Sequence, residues 1–416
     1  MSRRSVLAAS AAGGMVTASA VARAAGAVFG DPDQPAEGAV NVTDKRALVD
    51  PGPRDDALAA NEKIFLDPPA TDVGGMPQFW ASFNLAPKRI QDGGWARELT
   101  QSDFAISETI SGVNMRLGTG AIREMHWHQQ AEWAVVTYGH CRITILDQLG
   151  RAQVADVSAG DLWYFPPGLP HSLQGLGPDG SEFVLAFDNG HSSEFNTLLV
   201  TDWLAHTPPD VLARNFGVPV EAFKNIPLTN RWMFQGKVPG PLAEDQKAVA
   251  SPQGAPPNSF VFRLSSMKPN KRTKGGMVQI ADSTNFKAAS NIAAALVTVK
   301  PGGMREMHWH PNADEWQYYL KGHARMTVFN TGPAAVTADF HPGDVGYVKK
   351  SLGHYVENIG ETDLVFLEIF RTAKYEEISL SDWLTHTPPA MVAATLNLDP
   401  AVIAKFPRDI PDIVPV

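Results

Sequence analysis

Apolar and polar residues alternate in short runs along most of this chain. Arg142 to Ile145 and Arg325 to Phe329 are examples, and Gly or Pro interrupts such runs about every ten residues. A period of two marks strands with one buried face, and frequent turn residues keep those strands short. The pattern predicts an all-β dominated fold built on an antiparallel sandwich or barrel. In two places the period lengthens. After the Asp-Trp-Leu tripeptides at 202–204 and 382–384, apolar residues recur at three- and four-residue spacing, which predicts helices over 210–225 and 390–406.

These patterns occur twice because the chain is duplicated. At an offset near 182 residues, "REMHWH" at 123–128 returns at 305–310, Pro87 falls on Pro269, Gly93 and Gly94 fall on Gly275 and Gly276, and Phe104 falls on Phe286. "AEWAVVTYGHCRITI" matches "DEWQYYLKGHARMTV", "GDLWYF" matches "GDVGYV", and "TDWLAHTPP" matches "SDWLTHTPP". Repeats of this length imply two homologous domains, over 77–235 and 258–416. Residues 236–257, rich in Pro, Gly and Ala, read as the connection between them. Residues 25–76 have no counterpart and read as an irregular N-terminal arm.

Composition narrows the setting. At 416 residues and 44% hydrophobic, the chain can bury more than one core. "SRRSVL" at 2–7, followed by a mildly apolar, Ala-rich stretch to Ala24, resembles a twin-arginine export signal, with cleavage expected after about Ala24. The implied location is periplasmic or extracellular. The stretch is too short and weakly apolar to span a bilayer, and no other segment reads as transmembrane. The net charge is -9, and losing Arg3, Arg4 and Arg23 with the signal would leave about -12, which argues against a nucleic-acid partner. The single cysteine, Cys141, excludes an intramolecular disulfide framework and reads as a small buried hydrophobe.

The chemistry is concentrated in histidines. On an extended strand, residues two apart point to one side, so His126 with His128, and His308 with His310, can each aim two imidazoles into a barrel. Glu132 follows four residues past its second His and Glu315 five, a change of strand parity that requires a turn, with each Glu on the next strand. A third histidine, His171 or His354, lies 39 residues beyond each Glu. Three imidazoles and a carboxylate suit a divalent first-row metal and leave two octahedral positions open. A closed structural zinc site would favour several thiolates, and this chain has a single cysteine.

These residues resemble the cupin superfamily, and the pair resembles its two-barrel oxalate decarboxylases. The first cupin pattern is met by Gly120, His126, His128, Glu132 and Gly139, and again by Gly302, His308, His310, Glu315 and Gly322. The second is met by Gly160, Pro166, Gly168 and His171. In the second repeat Gly343, His354 and Asn358 keep their places, while Lys349 and Ser351 replace the usual Pro and Gly. The resemblance implies two tandem cupin (double-stranded β-helix) barrels with short flanking helices. It also implies two manganese ions, one per barrel, although imidazole with carboxylate equally accepts iron. A homo-oligomer, trimer or hexamer, is implied as well, covering the outward Trp127 and Trp309.

Arg123 and Arg305 lie three residues before the first ligand His. Simple alternation puts them on the opposite strand face, and it is the resemblance that implies they reach the pocket, where a guanidinium suits a small dicarboxylate. From Phe187 to Trp203 is 16 positions, against 13 from Phe370 to Trp383. The three extra residues fall in a Gly-, Ser- and Asn-containing segment centred on Glu194, which fits a mobile lid carrying a proton donor. An ordinary polar loop would explain its composition but not the asymmetry. The resemblance implies oxalate as substrate, dioxygen as co-catalyst, Arg123 polarising a carboxylate and Glu194 managing the proton, to give formate and CO2. The second quartet, with Arg305 and Glu357, is expected to be mainly structural. The lid here reads Ser193, Glu194, Phe195, Asn196, where the family has Ser-Glu-Asn-Ser. Oxalate oxidase, releasing peroxide, and a non-catalytic storage bicupin are the rival readings.

Overall fold

The computed structural model describes residues 53, 55–66, 68–408 and 411–415. The expected export signal at 1–24 lies outside them. The chain divides into two units, Met1–Ala70 and Thr71–Val416. In the first, the described part of the expected irregular arm contains a helix, Asp56–Asn61. Its N-terminus is capped by the Asp55 carboxylate, which accepts from the amides of Ala57 and Leu58.

The second unit holds two β-barrels built to one plan. In the first, strand Glu132–Leu146 runs through the whole barrel: its early half pairs with Ser181–Phe187 and Leu162–Phe165, its later half with Ala152–Ser158 and His171–Gly175. The strand turns from one sheet to the other at Gly139, whose φ is 72° and where a Cβ would fall 2.0 Å from the Gly180 carbonyl oxygen. In the second barrel the same bend, at Gly322, splits the strand into Glu315–Lys321 and Ala324–Asn330.

The repeats exchange strands. Trp80–Ser82, which precedes the first barrel, pairs with Asp344–Val348 of the second, and Val261–Phe262, which precedes the second, pairs with Leu162–Phe165 of the first. Each repeat thus lends its leading strand to its twin, so a sequence boundary at 77 or 258 does not coincide with a boundary between sheets. The expected connection at 236–257 is not plain coil either, because it contains the helix Leu242–Ala248. One apolar core spans both barrels, with Phe83, Trp133 and Tyr164 clustered with Trp316, Tyr347 and Phe366. Phe83 is fully buried and meets Trp316 and Tyr318 edge-on, with ring centres 6.4 and 5.8 Å apart.

The helices appear where expected but broken. Pro209–Phe216 ends at Gly217 in the left-handed region, and a 3-10 turn, Val220–Phe223, follows Pro219. Pro389–Leu396 ends at Asn397, also left-handed, before Pro400–Ile403. A left-handed residue closes the last turn and the proline cannot continue its hydrogen bonds, so each apolar stripe is cut in two. Trp127 and Trp309 point outward and are half-buried, with Trp203 and Trp383 of the preceding short helices Val200–Ala205 and Leu380–Thr385 at 5.7 and 5.8 Å.

Because Phe83 is a keystone between barrels, Phe83→Ala is expected to cost about 3–5 kcal/mol. Urea unfolding of the full chain should shift to lower denaturant while remaining a single transition for both barrels. Two separated transitions would contradict a shared core.

Candidate metal centres

Three strands at each centre carry the ligands, and the register of the two that carry histidines decides what faces inward. On strand Ala121–Trp127, Arg123 pairs with Leu173 and His126 with His171, so three steps on one strand answer two on the other. That is a β-bulge. It resets the alternation, placing Arg123 on the same inner face as His126 while Met125 turns out to solvent. The second barrel repeats it: Arg305 pairs with Val356, His308 with His354, and Met307 turns out. Simple alternation therefore fails for both arginines, and both are fully buried.

The structure brings His126, His128, Glu132 and His171 together, and likewise His308, His310, Glu315 and His354, each set offering ligand atoms within 4.8 Å of one another. Each Glu opens the strand after the turn, at Glu132 and Glu315. In the first set the Glu132 Oε2 lies 3.2 Å from His128 Nε2 and 3.4 Å from His171 Nε2. In the second, Glu315 Oε2 lies 3.3 Å from His310 Nε2 and 2.8 Å from His354 Nε2.

Backbone carbonyls fix the imidazoles. The Nδ1 of His126 donates to Glu124, that of His171 to Leu169, that of His308 to Glu306, that of His310 to Glu376 and that of His354 to Leu352, at 2.5–3.1 Å. The proton is thereby held on Nδ1 and the Nε2 lone pair is turned inward. The Nε2 atoms of His128, His171, His308, His310 and His354 and the Oε2 of Glu315 are buried without a hydrogen-bond partner. Burial pushes His126 and His308 well below the ordinary imidazole range, and Arg123 or Arg305 nearby pushes the same way. Burial alone would raise Glu132 and Glu315, but the neighbouring histidines hold both carboxyls well below their usual range. His310 departs the other way: burial would lower it, but Glu315 and Glu368 outweigh that and raise it. An ionised carboxylate beside imidazoles whose orphaned Nε2 atoms face inward is what a divalent cation requires, so both quartets fit one ion each.

The shells behind the carboxylates differ. Trp163 Nε1 donates to Glu132 at 2.9 Å. In the second barrel Gly346 occupies the matching position, and Gln317, in the place of Ala134, donates to Glu315 at 2.8 Å while accepting from the Tyr319 hydroxyl. A Cβ on Gly346 would meet Gln317 Oε1 at 2.5 Å, so the small and large residues have changed places together. The mismatch between "GDLWYF" and "GDVGYV" was the sequence signal for this difference.

The segment after Phe187 folds over the first quartet. Ser193 caps a 3-10 turn, Glu194–Asn196, and Glu98 receives both the Ser193 hydroxyl and the Glu194 amide at 2.9 Å. Glu194 is buried, its Oε1 2.8 Å from Arg123 Nε, and Arg123 also donates to the Thr197 hydroxyl at 3.1 Å. A cavity of about 250 Å³ beneath the segment is lined by His128, Phe187, Ser192, Ser193 and Asn196.

Around Arg305 the structure assembles a different set. Glu377 and Glu368 flank its guanidinium, and the Tyr375 hydroxyl accepts from Arg305 and shares its one proton between the two carboxylates, 2.8 Å from Glu377 and 3.1 Å from Glu368. Glu357 is not among these groups. It lies three residues past His354 on an unbroken strand, so it faces away from the ligands and stands cross-strand from Arg325. Sequence reasoning missed Glu377, although it lies seven residues past Phe370 just as Glu194 lies seven past Phe187.

Comparison with known proteins agrees with this architecture. The cupin family matches residues 83–223 and 262–404. The oxalate decarboxylase of Bacillus subtilis strain 168 is 52% identical over 333 residues, 80% of this chain and 86% of that protein. A probable oxalate decarboxylase of Arthroderma benhamiae is 38% identical over 91% of this chain and 93% of its own. A solved structure of the Bacillus subtilis enzyme, described as having Mn(II) centres, superposes with a TM-score of 0.86 at 47% identity, covering 89% of this chain and 98% of the other.

Trp163→Phe is expected to weaken the first centre's metal affinity about tenfold and to leave the second unchanged, as read by chelator competition. A second expectation concerns pH. Burial lifts Glu368 from the ordinary 4.5 to about 7, despite the opposing pull of Arg305. The folded state then holds a proton that the unfolded state has released, so metal-free stability should fall as pH rises from about 4.5 to about 7. Glu368→Gln should flatten that limb of the denaturation-midpoint profile.

Proposed function

This chain belongs to the cupin family as a two-barrel member, and on that premise we propose that it is an oxalate decarboxylase converting oxalate to formate and CO2 at the first-barrel centre. The observation that carries the proposal is the Arg123–Glu194 pair, closed over the His126, His128, Glu132 and His171 quartet. Manganese held by each quartet, with dioxygen as co-catalyst at the first, would supply the reversible one-electron chemistry that loosens the carbon–carbon bond.

The protein's own groups do the rest. Arg123, held dry by the bulge, binds and polarises one carboxylate of the substrate. Glu194 takes the proton of the oxalate monoanion and returns it to the carbon that CO2 leaves behind, so one proton is conserved from substrate to formate. Ser193 to Asn196, anchored on Glu98, keeps water from that carbon while the proton is delivered. At the second centre the guanidinium of Arg305 is already committed to Glu377, Glu368 and Tyr375. An anionic substrate would have to displace two carboxylates, which supports a mainly structural role there.

We also propose residues 1–24 as the twin-arginine signal, with the folded enzyme exported to the periplasm or beyond. Among the described residues no helix is long and apolar enough to cross a membrane. Trp203 is 64% and Trp383 59% exposed in the single chain, which supports a homo-oligomer, trimer or hexamer, that covers them.

Purified manganese-loaded protein given oxalate should yield formate, with peroxide a minor product. Glu194→Gln should lower formate turnover roughly a hundredfold or more with both metal ions retained. Formate output unchanged in that variant would refute the lid carboxylate's role, and peroxide as the main wild-type product would make the enzyme an oxidase.

A further inference from the structure

Arg89, on the strand Arg89–Gln91, reaches the lid from outside the ligand sets. Its Nη2 donates to Glu194 Oε1 at 3.4 Å, on the same oxygen that Arg123 contacts. The guanidinium carbon lies 4.4 Å from the ring centre of Phe195 and 4.3 Å from that of Trp232. The two rings stand nearly perpendicular, 6.4 Å apart. Phe195 remains 47% exposed, so burial of its ring does not account for its position; the cation beside it does.

Three further facts give the contact a direction. Trp232 does not travel with the lid: its backbone adopts φ 48°, and its carbonyl receives the Glu124 amide at 2.9 Å and Arg123 Nη1 at 3.4 Å. The Nε and Nη1 of Arg89 are buried without hydrogen-bond partners. Arg89 and Arg123 face each other across one carboxylate. Withdrawing Glu194 would leave two neighbouring guanidinia without their shared counter-ion, one of them with dry donors. Opening the lid therefore breaks the Phe195–Arg89 contact, the Arg89–Glu194 hydrogen bond and the Arg123–Glu194 ion pair together.

We propose that Arg89, clamped between Trp232 on the barrel side and Phe195 on the lid, is the latch that holds the Ser193–Asn196 segment closed and Glu194 in place. Arg89, Phe195 and Trp232 are positioning residues: they act through Glu194. The proposal rests on the reading of that segment as the lid of the decarboxylation site. It adds that the balance between protonating the intermediate and losing it to oxidation is set by an aromatic–cation clasp on the lid's outer side.

The test uses the full chain loaded with manganese. Hydrogen exchange of amides 193–197 is followed without substrate, and kcat, KM and the formate-to-peroxide ratio are then measured with oxalate. Phe195→Leu keeps an apolar side chain but loses the π face, Phe195→Tyr keeps it, and Arg89→Gln removes the cation. Phe195→Leu and Arg89→Gln are expected to speed lid exchange roughly tenfold, while strand Ala121–Trp127 exchanges as before. Both should lower the formate-to-peroxide ratio, and Phe195→Tyr should match the wild type in every measurement. Phe195→Leu with wild-type lid exchange, or with equal acceleration throughout the barrel, would overturn the latch. A wild type that releases no formate from oxalate would instead remove the functional reading, and the substrate-free exchange would still decide the latch.

Discussion

Each barrel buries one carboxylate among three imidazoles, and the two demands made on that cluster conflict. Desolvation drives His126 and His308 towards the neutral form, while the carboxylate, equally dry, needs positive charge beside it. A divalent cation satisfies both at once. The backbone is arranged for that outcome, because the carbonyl two residues before each of His126, His171, His308 and His354 holds its Nδ1 proton. The bulge ahead of each His-x-His serves the same end by turning a buried arginine toward the centre.

Duplication let two copies of this solution diverge. In the first barrel Trp163 steadies the ligand carboxylate, and the buried acid Glu194 sits on a segment three residues longer than its counterpart. In the second, Gln317 takes over the tryptophan's hydrogen bond, and Glu377 sits immediately before the short strand Ile378–Ser379, tied to Arg305, Tyr375 and Lys271. The same arginine–glutamate pair thus lies on the longer segment at one centre and within a wider network of charged groups at the other. The proposed division, reaction at one centre and support at the other, rests on where that carboxylate is attached.

Reciprocal strand exchange keeps the centres in fixed register. Trp80–Ser82 and Val261–Phe262 each complete the other repeat's sheet, and Val261 pairs with Trp163, the residue that hydrogen-bonds Glu132. Packing around Phe83 and Trp316 then joins the two barrels through a shared apolar core, beside a second core within the first barrel. A side chain held by such a frame reaches its partner with little conformational freedom left to lose, as a site made of charged groups in a dry interior requires.

The sequence by itself determined the duplication, the β-barrel class, the members of both histidine–carboxylate quartets and the longer segment that carries Glu194. Those features are written as local alternation, matched spacing and unequal segment lengths, which survive without knowledge of the fold. Only the tertiary structure decided what faces what. A bulge is one residue of register slip between paired strands, invisible along either strand alone, and it overruled the parity that sent Arg123 and Arg305 outward. Glu357 lost its place to Glu368 and Glu377 for a related reason: nearness along the chain said little about which strand face closes over Arg305. The exchanged strands and the Arg89 clasp join positions far apart along the chain, and packing, which has no signature in one sequence, chose those partners.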